Sequence, residues 1–239
     1  MGHWANTTYV RHGDVEAVAD ALTRAFECED MQAIAAPPQR SRHGFEPLQD
    51  DDALHNDLWA LAAFPGAPGW VVVQTAPTAV LSERAPGADH PRLVDVARDL
   101  RAHAFQLHVY DGSLSMLVEV SPEGEWSLSG VGNGRSDQVW LGERLDATRY
   151  ELQFRWLPFA DLLASEPYAE YRAYRFAELL GGTNAAHCDN LVSIDTLICH
   201  KPFAVAGASV RYFRWKGPSR ERFESTDSFE ACRAGLAKR

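Results

Sequence analysis

Lysine is almost missing from this chain: Lys201, Lys216 and Lys238 are the only three, and the other 20 of its 23 basic residues are Arg. Guanidinium groups suit planar, paired hydrogen bonds. Together with the abundance of Ala, however, this skew reads as the mark of a GC-rich bacterial genome rather than of a task. Cysteine is sparse too. Cys28, Cys188, Cys199 and Cys232 follow no C-x-x-C spacing, which excludes a disulfide scaffold and leaves four thiols expected to be reduced and independent. No apolar run nears the ~18 residues of a membrane helix; the stretch from Trp59 to Phe64 stops at Pro65, so no membrane span is expected. The first residues lack a basic segment followed by an apolar one, and position 6 is Asn where a myristoylation signal wants Ser or Thr. A cytoplasmic location is therefore expected.

Familiar chemical signatures are missing as well. No Gly-x-Gly-x-x-Gly or His-Glu-x-x-His occurs, and Ser209 lacks the second glycine of a nucleophile elbow. Gly130, Gly132 and Gly134 resemble a phosphate loop, but no clear helical face follows them, so the run 130–137 reads as a linker or long turn. No cofactor is expected.

What is present is a foldable composition with lopsided charge. Apolar residues make up 46% of the chain and aromatics 10%, enough for a core without staples. The net charge of -10 falls wholly in residues 1–135, which hold 19 Asp and Glu against 9 Arg; residues 136–239 balance 14 acidic with 14 basic residues. The carboxylates cluster as Glu27, Glu29 and Asp30, and again as Asp50, Asp51, Asp52 and Asp57. Such a surface repels phosphate backbones, which makes nucleic acid an unlikely partner, and speeds encounter with a basic protein. A merely solubilising surface is the plainer alternative.

Periodicity sets the organisation. A strand is read over Thr7–His12. A helix capped by Asp14 follows, with Val15, Val18, Ala19, Leu22 and Phe26 on one face, ending near Asp30. Met31–Ile34 reads as a short strand and 35–56 as a long loop. Leu58–Phe64 and Trp70–Gln74 form a hairpin about Pro65-Gly66-Ala67-Pro68-Gly69, the second strand too continuously apolar to face water on either side. A helix is read from Asp89 with Pro91 in its first turn, then strands over 105–110, 114–120 and 125–129. The order leaves room for a degenerate duplication of 7–74 and 89–129, against which stands the poor letter-by-letter similarity of the two. Later come a strand at 150–156, a helix at about 166–180 ended by Gly181-Gly182, a segment 192–199 that fits strand or helix, a strand at 210–215 and a capped terminal helix from Asp227. The fold class is α+β: a mostly antiparallel sheet, or two, with helices packed on one face. It is built as one body or as two α+β modules, an acidic one over 1–135 and a neutral one over 136–239.

Two kinds of function fit. One is a non-catalytic interaction module, immunity- or antitoxin-like, that receives a basic protein on Glu27, Glu29, Asp30, Asp50, Asp51, Asp52 and Asp57. The other is a hydrolase or transferase using His187, Cys188, Asp195, Cys199 and His200, since a thiol needs a neighbouring imidazole and an orienting carboxylate to act as a nucleophile. The adjacent pairs His187-Cys188 and Cys199-His200 are poorly spaced for a shared metal, and no metal site is expected. The Arg-edged aromatics from Trp156 to Trp215 lie at core spacing.

Overall fold

The computed structural model describes residues 5–28, 31–35, 58–76, 80–85, 87–110, 114–132, 169–188 and 205–216. The elements in chain order are β1 (Ala5–Val10), α1 (Val15–Glu27), β2 (Met31–Ile34), β3 (Leu58–Pro65), β4 (Val71–Ala76), α2 (Arg92–Leu100), β5 (Ala104–Tyr110), β6 (Leu114–Val120), β7 (Trp126–Gly132), α3 (Ala169–Gly181), a 3-10 turn (Gly182–His187) and β8 (Ser209–Trp215). The fold is α+β. The eight described strands join one sheet in the order β2-β8-β3-β4-β1-β5-β6-β7, and every neighbouring pair is antiparallel. The sheet takes β8 from beyond residue 135 and seats it between β2 and β3. Position 135 itself, all but the first residue of the expected loop 35–56, the segments 150–156 and 192–199 and the expected terminal helix from Asp227 lie outside the described residues.

Local chemistry accounts for the helices. Asp14 Oδ1 accepts from the N–H groups of Glu16 at 2.9 Å and Ala17 at 3.2 Å, satisfying two of the donors a helix start leaves open. The apolar stripe Val18, Ala19, Leu22 and Phe26 is buried. For α2, Pro91 is the N-cap residue rather than a member of the first turn; its fixed φ of -62° and missing N–H suit that place. At the far end Arg101 turns into the left-handed region at φ 49°, and the Ala102 N–H closes on the Ala97 carbonyl at 3.0 Å.

Both sheet faces are covered. On one, Val10, Trp59, Leu61, Ala63, Val71, Val73, Val118, Val120 and Phe213 pack with α1 and α2. On the other, Tyr9, Phe64, Val72, Phe105, Leu107, Val109 and Leu117 pack with Phe176 and Leu180 of α3 and with Cys188. The one-face arrangement thus holds for α1 and α2, while α3 takes the opposite side. The continuous apolar run of β4 follows: Val71 and Val73 serve one layer and Val72 the other. Gly130, Val131 and Gly132 extend β7 opposite Met116, Ser115 and Leu114, where the sequence suggested a linker.

The β3–β4 turn is docked to the end of α3. The Ala67 N–H caps the Leu180 carbonyl at 2.7 Å, and Asn184 Nδ2 donates to the Pro65 carbonyl at 2.7 Å. Gly182 reverses the chain at φ 57°, with Ala67 close against it.

Candidate functional site

Of the acidic cluster, Glu27 is exposed in the last turn of α1. Glu29, Asp30, Asp50, Asp51, Asp52 and Asp57 lie outside the described residues. Several other carboxylates of the leading segment are engaged within the protein. Arg211 on β8 reaches Glu16 at 2.9 Å and Asp20 at 2.7 Å, while Arg24 holds Asp99 at 2.6 Å. Asp89 and Asp95 flank His90 at 2.8 and 3.0 Å. Asp14 caps α1.

Cys188 and His187 follow α3 through the 3-10 turn, and their side chains part. His187 is exposed, with its carbonyl accepting from Gln74 Nε2 at 2.6 Å. Cys188 is buried over β1, and its carbonyl accepts from Thr7 Oγ1 at 2.7 Å. Burial pushes the Cys188 thiol up to about 12, a rise opposed by the Tyr9 hydroxyl bonded to it. Burial likewise raises the Tyr9 phenol, with Cys188 adding to the rise. A β-carbon on Gly181 would lie 2.7 Å from Cys188 Sγ, so the sulfur sits where only a glycine leaves room. At neutral pH a thiol raised this far stays protonated, the opposite of what a nucleophile needs. Cys188 has the setting of a small packed hydrophobe. Asp195, Cys199 and His200 lie outside the described residues. Peptide-resolved alkylation checks this directly. In the folded protein the exposed Cys28 should react while Cys188 stays unmodified until denaturant is added. Labelling of both at one rate contradicts the assignment.

A buried polar group was not read from the sequence. On the sheet face under α1 and α2, Asn6 and Thr8 of β1, Thr75 of β4 and Gln106 of β5 are all buried. Gln106 Nε2 donates to Asn6 Oδ1, and His108 pairs across the strands with Asn6. Burial holds the His108 imidazole down at about 4, so it is neutral at physiological pH. The alternation Phe105-Gln106-Leu107-His108-Val109 suggests an ordinary strand with a wet polar face, whereas both faces here are covered. Among the described residues no three His, Cys, Asp or Glu side chains gather as metal ligands. No described helix is long and apolar enough to cross a membrane.

Among the described residues these features define an α+β protein on one eight-stranded antiparallel sheet, with uncharged polar side chains buried beneath α1 and α2. Comparison with protein-family models, with curated proteins and with solved structures finds no match to the chain.

Proposed function

We propose that this chain is a non-catalytic cytoplasmic interaction module, immunity- or antitoxin-like in its physics, that receives a basic protein on Glu27, Glu29, Asp30, Asp50, Asp51, Asp52 and Asp57. The observation that carries the reading is the charge ledger. The entire -10 lies in residues 1–135. Carboxylates outside the cluster, such as Glu16, Asp20 and Asp99, already have internal guanidinium partners. Of the cluster, Glu27 is exposed, and the reading assigns the rest of the excess to the same outward role. Its placement also works against folding: an anion such as Glu27 at a helix C-terminus opposes the macrodipole at a cost of about 0.3–1 kcal/mol. The buried, protonated thiol of Cys188 weighs against the competing nucleophile set. The reading involves no cofactor, no nucleic acid and no membrane.

The test is affinity capture of a basic protein from the source cell's extract at about 0.05 M and about 0.5 M salt, a range over which screening of exposed charges becomes strong. A variant carrying Glu27→Gln, Glu29→Gln and Asp30→Asn, and a second carrying Asp50→Asn, Asp51→Asn, Asp52→Asn and Asp57→Asn, are run beside the parent. The expected result is a basic partner retained at low salt, released at high salt and weakened by both variants. A partner held equally at both salts and by both variants would end the proposal.

A further inference from the structure

The segment just before α2 folds back on the start of that helix. Residues Arg84 and Pro91 form an isolated antiparallel bridge. The Arg92 N–H donates to the Glu83 carbonyl at 2.9 Å and the Leu93 N–H to the Leu81 carbonyl at 2.9 Å. Val80 and Leu81 enter the core beneath, and Arg84 lies over the Trp126 ring at 6.0 Å. His90 sits at the fold of this flap. Its Nδ1 is 2.8 Å from Asp89 Oδ1 and its Nε2 is 3.0 Å from Asp95 Oδ1.

Carboxylate oxygens only accept hydrogen bonds, and a neutral imidazole has one N–H and one lone pair. Both contacts are satisfied together only when both ring nitrogens carry protons. We propose that His90 is a pH-operated latch: as the imidazolium it ties Asp89 on the flap to Asp95 on α2, and on giving one ring proton to solvent it turns a lone pair toward a carboxylate and lets the flap loosen. Asp89 and Asp95 favour the charged ring, and Arg98 of α2 opposes it. Arg84, across the bridge, acts on Asp89. The bond to Asp89 is the largest cause raising the His90 pKa above 6.5; burial works against it, and Asp95 adds to the rise.

The sign follows from linkage. A histidine whose pKa is raised in the closed state contributes its full stabilisation below the open-state value near 6.5. It loses that contribution as pH climbs through the closed-state value. The latch is therefore shut in mildly acidic solution and weakens toward alkaline pH. Asp89 and Asp95 are largely exposed, so the effect is confined to the flap and does not extend to the whole fold.

The experiment uses the full chain and two readouts across pH 5.5 to 9 (on the order of three units spanning the histidine range). NMR follows the His90 ring resonance. Hydrogen exchange, corrected for its intrinsic pH dependence, follows the Arg92 and Leu93 amides. The expected His90 midpoint lies above 6.5, and the opening constant of the two amides rises with the same midpoint. The fold-change between the plateaus should equal ten to the power of the closed-minus-open pKa difference. His90→Gln should abolish the step in exchange. Asp95→Asn keeps the histidine and should lower its midpoint, with unchanged circular dichroism as the check on folding. A His90 midpoint at or below 6.5, an Asp95→Asn midpoint equal to that of the parent, or an exchange step that persists in His90→Gln would each overturn the latch.

Discussion

Phe213→Ala should lower the stability of this protein by about 3–5 kcal/mol, the range for deleting a fully buried Phe and leaving a cavity. Phe213 is on β8, fully buried, and meets Phe26 of α1 edge-on at 5.1 Å between ring centres. Phe26 in turn meets Trp59 of β3 edge-on at 5.1 Å. Across the sheet Phe213 lies opposite Ala33 of β2 on one side and Trp59 on the other. One ring therefore joins α1, β2, β3 and β8, and no neighbour can move in to fill its place without unpairing a strand. Chemical denaturation measures the loss. Phe213→Leu, which keeps most of the volume, should cost much less. Equal losses for Ala and Leu, or a loss under about 1 kcal/mol for Ala, would mean that the cluster does not join these elements.

Gly66→Ala should also be strongly destabilising, at about 3 kcal/mol from overpacking and the loss of one buried hydrogen bond. A β-carbon at position 66 would stand 2.3 Å from the Leu180 carbonyl oxygen and 3.2 Å from both the Trp70 carbonyl and Val72 Cγ2. The first neighbour is backbone at the end of a helix and cannot rotate away. Relief requires α3 to lift from the β3–β4 turn, which breaks the bond from the Ala67 N–H to Leu180. Gly69, in the same turn at φ 81°, has nothing within 4 Å of the place a methyl group would take, so Gly69→Ala should suffer only backbone strain and serves as the control. Thermal unfolding of the two variants should show Gly66→Ala clearly the less stable. The reverse order would mean that α3 is not clamped by this turn.

The local elements were legible because each obeys one short-range rule. The 3.6-residue stripe from Val18 to Phe26 behind Asp14 gives α1, and the Pro and Gly residues between Phe64 and Trp70 give the β3–β4 hairpin. Long-range relations were not legible. Nothing in Val-Arg-Tyr-Phe-Arg-Trp says that it inserts between β2 and β3, because strand neighbours are chosen by packing across the whole chain. The pattern of α3 shows an apolar side carrying Phe176 and Leu180, but not which sheet face will receive it. Glycine punctuation misled at Gly130 and Gly132, since Gly more often ends strands than continues them. At the candidate site, the charge imbalance was plain from counting. That Glu16 and Asp20 are matched by Arg211 could be learned only from the fold. The fate of Cys188 likewise depends on Tyr9 and Thr7 converging on it from far along the chain, against the nearby Gly181.

The seating of β8 carries a consequence for biosynthesis. Arg211 donates to Thr23 across 188 residues of chain, and among the described residues β2 finds its strand partner only in β8. At roughly 5–20 residues per second, synthesis leaves the earliest-made edge of the sheet waiting about ten seconds or more for its neighbour to be translated. Closing so long a loop is slow, so the nascent protein must hold an incomplete sheet until β8 has left the ribosome. Chains truncated before Ser209 should be prone to aggregate through that open slot, and cells making this protein have reason to keep a chaperone on it until β8 is made.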